Sequence, residues 1–227
     1  MCDFSGKSLI VFGDSIMYGS GNNDIGVGEY LQSRFGFNLK KYCVGGARVG
    51  FYEGKNWQVE QVRSAILNGE TAEYIVFDGF TNDCNMTDGK NCDVSLGEIS
   101  EGFDDFNIFA IAKENSTFSN CFENIVHALK KYFPQAKLLF VRPHKMGRRT
   151  AKMQALYGER AVELCRKWGI SVADIYSDSD MNTFLPDHRD RYTSDSYNWG
   201  IGDCTHPNAT GYIEKYMPVI EEAIKKL

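Results

Sequence analysis

Four short blocks hold the residues whose types and spacing could do chemistry: "FGDSI" with Ser15, "VGGAR" with Gly45 and Gly46, "GFTND" with Asn82, and "DCTHPN" with Asp203 and His206. A serine hydroxyl is a poor nucleophile until a neighbouring base takes its proton, and His206 is a candidate base. An imidazole in that role needs an acceptor on its other nitrogen, which Asp203, three residues earlier in the same loop, could supply. Attack on a carbonyl also needs donors aimed at the developing oxyanion. The backbone N–H groups of Ser15 and Gly46 and the side-chain amide of Asn82 would give three, with Gly45 competing for the second place. Each block also has a plainer reading. Ser15 could cap a turn, Asn82 could form one, and His206 could be a helix-entry residue before Pro207. What favours chemistry is that all four complete one mechanism.

The elements that must position these blocks are strands alternating with helices. "LIVF" from Leu9 is a short apolar run that stops at Gly-Asp-Ser, the pattern of a strand buried on both faces. "NDIGVGEYLQSRFG" predicts a helix with Asn23 or Asp24 as N-cap and Gly36 as its stop. "FNLKKYCV" predicts a second strand, and "WQVEQVRSAILNG" a helix with Val59, Val62, Ile66 and Leu67 on one face. "AEYIVFDGF" reads as a third strand. A helix over "STFSNCFENIVHALKKYF", a strand over "AKLLFVRP", a helix near Lys152 to Trp168 and a strand over "ISVADIY" follow. "PNATGYIEKYMPVIEEAIKKL" closes the chain with an apolar stripe of Ile213, Met217, Ile220 and Ile224. Two irregular stretches interrupt this order, near 82–115, with room for a short helix or two, and near 177–204. The alternation predicts an α/β fold with a mostly parallel sheet of about five strands, helices on both faces, and the chemistry at the carboxyl ends of the strands.

Composition sets outer limits. A chain of 227 residues, 43% hydrophobic and 24% charged, without linker or repeat, is expected to form one domain over 1–227 with its own core. Its net charge of -5 argues against a nucleic-acid surface. No apolar stretch approaches the roughly 20 residues that span a bilayer. "MCDFSGKS" leaves no room for a signal peptide, so a cytoplasmic location is expected. The seven cysteines, Cys2, Cys43, Cys84, Cys92, Cys121, Cys165 and Cys204, are odd in number and scattered, which favours reduced thiols over a disulfide framework. No CxxC pair is present, so no metal is expected and a site from Cys43, Cys84 and Cys204 is disfavoured.

The four blocks resemble those of the SGNH or GDSL hydrolases, and the resemblance covers nearly the whole chain. "FGDSI", with Ile16 where the family usually has Leu, is similar to its first block, "VGGAR" to the second, "GFTND" to the third and "DCTHPN" to the fifth. Phe80 stands in the third block where a smaller residue is common. The resemblance implies a three-layer α/β/α sandwich of flavodoxin-like order, Ser15 as nucleophile, His206 as base, Asp203 as triad acid, and Gly46 and Asn82 at the oxyanion positions. "SLGEIS" and "TFSNC" resemble bacterial members that act on small esters or acylated sugars.

The expected function is therefore hydrolysis of a small carboxylic ester, with a short acyl or acetyl group and possibly a sugar alcohol, through an acyl-enzyme and without a cofactor. Phe80, Tyr192, Tyr197 and Trp199 are candidate walls of a substrate pocket. Arg48, Arg142 and His144 are candidates for its rim, with a plainer reading as surface polar groups. Asp14 and Asp83 read as turn-fixing. The alternative is a non-catalytic nucleotide- or flavin-binding α/β module, because "GDSIMYGSGNN" is a Gly/Ser-rich loop after a first strand. That reading lacks GxxxxGK and GxGxxG and leaves "DCTHPN" unexplained.

Overall fold

A computed structural model describes residues 4–84, 94–195 and 200–227. Its sheet holds β1 (Ser8–Phe12), β2 (Asn38–Lys41), β3 (Tyr74–Phe77), β4 (Lys137–Arg142) and β5 (Ser171–Asp174). The order is β2-β1-β3-β4-β5 and every pairing is parallel. "LIVF" and "YIVF" are buried throughout because helices cover both faces of the sheet. At the edge, β2 alternates exposed and half-buried residues and carries two lysines, which discourages pairing with another chain.

The helices are α1 (Ser15–Tyr18), α2 (Val27–Phe35), α3 (Gln58–Leu67), α4 (Phe118–Tyr132), α5 (Ala151–Trp168), α6 (Ile175–Asp178), α7 (Pro186–Tyr192), α8 (Ala209–Gly211) and α9 (Met217–Lys225). Helix α4 packs between α3 and α5 as one layer. Helices α2 and α9 form the other layer, and α2 meets the C-terminal segment where the Tyr30 and Tyr212 rings lie 5.3 Å apart. The expected three-layer α/β/α sandwich is present, with a sheet that is parallel throughout. The chain steps one way from β1 to β2, then crosses back over β1 to β3 and continues in that direction to β4 and β5. The crevice outside the carboxyl ends of β1 and β3 is therefore the switch point where such sheets bind ligands.

Several local expectations are corrected. The N-cap of α2 is Gly26, not Asn23 or Asp24, which sit in a left-handed turn with φ of 51° and 62°. A Cβ on Gly26 would lie 2.1 Å from the Met17 carbonyl oxygen, and Glu29 supplies the capping oxygen instead, accepting the Gly26 N–H at 2.9 Å. Leu67 is 76% exposed, because it lies about 140° round α3 from Val62, the centre of the buried face.

In the stretch from Asn82 to Asn115 the described residues hold only a 3₁₀ turn, Lys113–Asn115. Val94, Phe106 and Ile108 anchor it to the core as isolated apolar residues without helical period. The second irregular stretch contains α7, a polar helix that starts at Pro186 and buries only Tyr192. At the C-terminus a wide π-helical turn, Tyr212–Tyr216, shifts the register, so Tyr212 and Tyr216 face the core and Ile213 is 57% exposed.

Candidate active site

Ser15 is presented by a turn that three elements hold. Gln61 on α3 clamps Gly13, its Oε1 accepting the Gly13 N–H at 2.9 Å and its Nε2 donating to the carbonyl at 2.8 Å. Gly13 has φ of 146°, and a Cβ there would lie 2.2 Å from Asp78 Oδ1. The same Asp78 oxygen accepts the Asp14 N–H at 3.1 Å, and Asp14 Oδ1 caps α1 by accepting the Ile16 N–H at 2.8 Å. Ser15 is thus the first residue of α1, with its own N–H among the donors a helix start leaves unused.

His206 reaches this serine from the loop before α8. Its Nε2 lies 2.9 Å from Ser15 Oγ, and its Nδ1 pairs closely with Asp203 Oδ2. The other carboxylate oxygen of Asp203 accepts the N–H groups of Thr205 and His206, each at 2.9 Å, which folds Asp203 back under its own imidazole. Burial pushes the Asp203 carboxyl pKa up, but the hydrogen bonds and charge of His206 outweigh it and the net displacement is downward. An ionised Asp203 against Nδ1 selects the tautomer protonated there, which leaves Nε2 free to accept from the serine hydroxyl. A second pair of main-chain bonds steadies the loop, Ser194 N–H to the His206 carbonyl and Asp203 N–H to the Ser194 carbonyl, both at 2.8 Å.

Gly46 and Asn82 stand on the loops after β2 and β3. Gly46 is exposed with φ of 74°. Asn82 Nδ2 donates to the Ala47 carbonyl at 3.0 Å and to Asp14 Oδ2 at 3.2 Å, so both amide hydrogens have acceptors within the protein. Asp83 joins the two loops by accepting the Val49 N–H at 3.1 Å and the Gly50 N–H at 2.8 Å. Burial pushes the carboxyl pKa of Asp14 up and that of Asp78 well up, and raises that of Asp83 to about 7. The bonds made by Asp14 and Asp83 are those of turn-fixing residues.

Other sequence candidates fall elsewhere. Phe80, 1% exposed, and Tyr192 belong to the core, so neither walls an open pocket; apolar rings in a polar stretch are buried here as anchors. Tyr197 and Trp199 lie outside the described residues. Arg48, Arg142 and His144 are all buried, not surface groups. His144 Nδ1 is 2.7 Å from the Tyr216 hydroxyl, and burial pulls its pKa down to about 3. His127 is half-buried against the rings of Phe106 and Trp168. A pocket of about 390 Å³ opens beside the second block, lined by Tyr42, Val44, Phe51, Lys55, Asn56 and Trp57 among others. Among the described residues Cys43, Cys84, Cys121, Cys165 and Cys204 form no disulfide, and no cluster of His, Cys, Asp and Glu suits a metal ion. No helix of the described residues is long and apolar enough to cross a membrane.

Gln61, Asp78 and Arg149 are the residues that sequence reasoning missed. Their partners lie far along the chain, and no local pattern marks them.

Among solved structures, a protein from Lactobacillus plantarum superposes with a TM-score of 0.70 at 18% identity, over 98% of this chain and 96% of that one. The lipase/acylhydrolase from Enterococcus faecalis gives 0.58 at 16% identity, over 96% of each chain. An acetyl xylan esterase from Geobacillus stearothermophilus gives 0.52 at 13% identity, over 98% and 94%. No curated protein matches the sequence. The sequence itself matches a family of ester-bond hydrolases over residues 11–212, and the chain therefore belongs to the GDSL-like lipase/acylhydrolase family.

Proposed function

We propose that this hydrolase cleaves a small carboxylic ester by way of an acyl-enzyme on Ser15. The observation that carries the reading is the 2.9 Å approach of His206 Nε2 to Ser15 Oγ, with Asp203 on the opposite ring nitrogen. In the first step Ser15 Oγ bonds to the acyl carbon while its proton passes to His206 Nε2. The imidazolium that forms is stabilised by the Asp203 carboxylate. Negative charge collects on the former carbonyl oxygen, where the N–H groups of Ser15 and Gly46 and the amide of Asn82 are its donors. For Asn82 this requires that the oxyanion displace one of its two present acceptors. Collapse of the adduct expels the alcohol, protonated by His206. Water then gives its proton to the same nitrogen, attacks the acyl carbon and releases the acid, restoring Ser15.

A short acyl or acetyl group, with a sugar among the alcohols to be tried, fits the resemblance of the acetyl xylan esterase in fold, and a small-molecule ester is the substrate class we assign. A cytoplasmic location belongs to the same reading. The test is release of nitrophenol from a short acyl ester by the wild type and Ser15→Ala, followed by a panel of acetylated sugars and thioesters. Turnover by the wild type alone, with one acyl group trapped on Ser15 by mass, is the expected result. Equal rates for both proteins on every ester and thioester would remove the triad from consideration and leave a nucleotide- or flavin-binding module as the working idea.

A further inference from the structure

Arg149 is a buried charge beside the site to which the triad gives no role. Arg149 ends the loop between β4 and α5, one residue before the N-cap Thr150. Gln154 clamps that loop, accepting the Met146 N–H at 2.9 Å and donating to the Met146 carbonyl at 3.1 Å. The Arg149 N–H closes a turn on the same carbonyl at 3.1 Å, and the Gly147 N–H donates to the Thr183 hydroxyl at 2.9 Å. The arginine side chain, 3% exposed, is thus delivered to a fixed place. There Nε donates to the Thr81 carbonyl at 2.6 Å and Nη2 donates to Asn82 Oδ1 at 3.3 Å. Nη1 is buried with no hydrogen-bond partner among the described residues.

Taking a guanidinium out of water is costly, and one carbonyl and one amide oxygen are thin compensation. The contact does, however, decide which way the Asn82 amide faces. With Oδ1 on the guanidinium, Nδ2 faces the Ala47 carbonyl and Asp14 Oδ2. A flipped amide would set its NH₂ against the cation and its oxygen against two acceptors, so every one of these contacts would turn repulsive. A cation on the amide oxygen also draws charge from the nitrogen and strengthens its N–H groups as donors, because hydrogen bonds in series polarise one another.

We propose that Arg149 is a positioning residue for Asn82: it fixes the orientation of the carboxamide and polarises its N–H groups, and its effect on turnover passes through that amide. The proposal rests on the serine-esterase reading above.

The test is a double-mutant cycle in the full chain, with wild type, Arg149→Met, Asn82→Ala and the double variant measured for kcat, KM and thermal unfolding. On a short nitrophenyl ester, Arg149→Met is expected to lower kcat about 10- to 100-fold with KM changed by less than about threefold. In the Asn82→Ala background the same substitution should change kcat by less than about threefold. Arg149→Lys can reach one oxygen but not both, so it should keep an intermediate kcat, and it completes the cycle if the Met variant does not fold. Losses that multiply in the double variant, or a raised KM at unchanged kcat, overturn the proposal. A wild type no faster than Ser15→Ala is instead a failure of the esterase reading. The cycle is then read from the rate at which a fluorophosphonate labels Ser15, whose oxygen bonds to phosphorus as fluoride leaves and the hydroxyl proton passes to His206. A wild type that neither turns over nor labels overturns both readings.

Discussion

The Asp78 carboxylate accepts the main-chain N–H of Asp14 at 3.1 Å, so the exit of β3 holds the turn that presents Ser15. Gln61 holds the preceding residue from α3, and Asp14 caps the helix that follows. The position of the serine is therefore set by two strands and a neighbouring helix, because α1, four residues long, could not fix it alone.

Gly13→Ala tests that arrangement. The added Cβ would meet Asp78 Oδ1 at 2.2 Å and Met17 Cγ at 2.6 Å, at a φ of 146° that side chains other than hydrogen rarely adopt. Clash and backbone strain together should destabilise the protein by about 2–4 kcal/mol and depress kcat. Chemical denaturation beside an ester assay reads both, and a variant as stable and active as the wild type contradicts the account.

Asp203→Asn separates holding the loop from tuning the imidazole. The amide oxygen can keep accepting the Thr205 and His206 N–H groups, so the loop should survive. An NH₂ facing Nδ1, however, no longer selects the tautomer that leaves Nε2 as an acceptor. A fall in kcat of about 10³–10⁴ is expected with little change in melting temperature. A loss under about tenfold on the best ester would mean that Asp203 does not act through His206.

Tyr212→Phe probes the far side of α1. The Tyr212 hydroxyl donates to the Ile16 carbonyl at 2.5 Å, and its ring is fully buried between Tyr30 and Tyr216. The ring stays in the variant, so the loss is one buried hydrogen bond and an orphaned carbonyl, about 1–3 kcal/mol. Urea titration should show that loss in the midpoint without a change of slope, and an unchanged midpoint would mean that this bond does not support α1.

The strands β1 and β3 were legible as unbroken apolar runs, and the four chemical blocks because each holds its Ser, Gly, Asn or Asp-x-x-His within a few consecutive residues. Partners that meet only in the fold leave none. Gln61 is 48 residues from Gly13, Asp78 is 64 from Asp14, and Arg149 is 67 from Asn82. Phe80 shows the converse error, since an aromatic among polar residues reads as a pocket wall. It is instead a core ring held on a backbone with φ of 116°, a conformation no sequence rule assigns to phenylalanine. Helix α7, "PDHRDRY", was illegible because a helix that buries only Tyr192 has no apolar period to detect.

Two buried groups should leave opposite marks on the pH dependence of stability. Burial raises the Asp83 carboxyl from 3.8 to about 7, against the pull of the Gly50 and Val49 N–H groups and of Arg48. The folded state then holds this proton more tightly than the unfolded chain, so that contribution is full below about pH 4 and is lost as pH rises through 7. Burial lowers His144 from 6.5 to about 3, so the folded state refuses a proton that the unfolded imidazole accepts. Its contribution is full above about pH 6.5 and is lost as pH falls toward 3. The two displacements are similar in size, and each gives a slope of about 1.4 kcal/mol per pH unit in the shared window. Between about pH 4 and 6.5 they oppose one another and largely cancel. Asp83→Asn should therefore make stability rise with pH across that window relative to the wild type, and His144→Gln should make it fall. Urea unfolding at three pH values inside the window reads the slopes, and parallel profiles for all three proteins would show that neither group titrates there with folding.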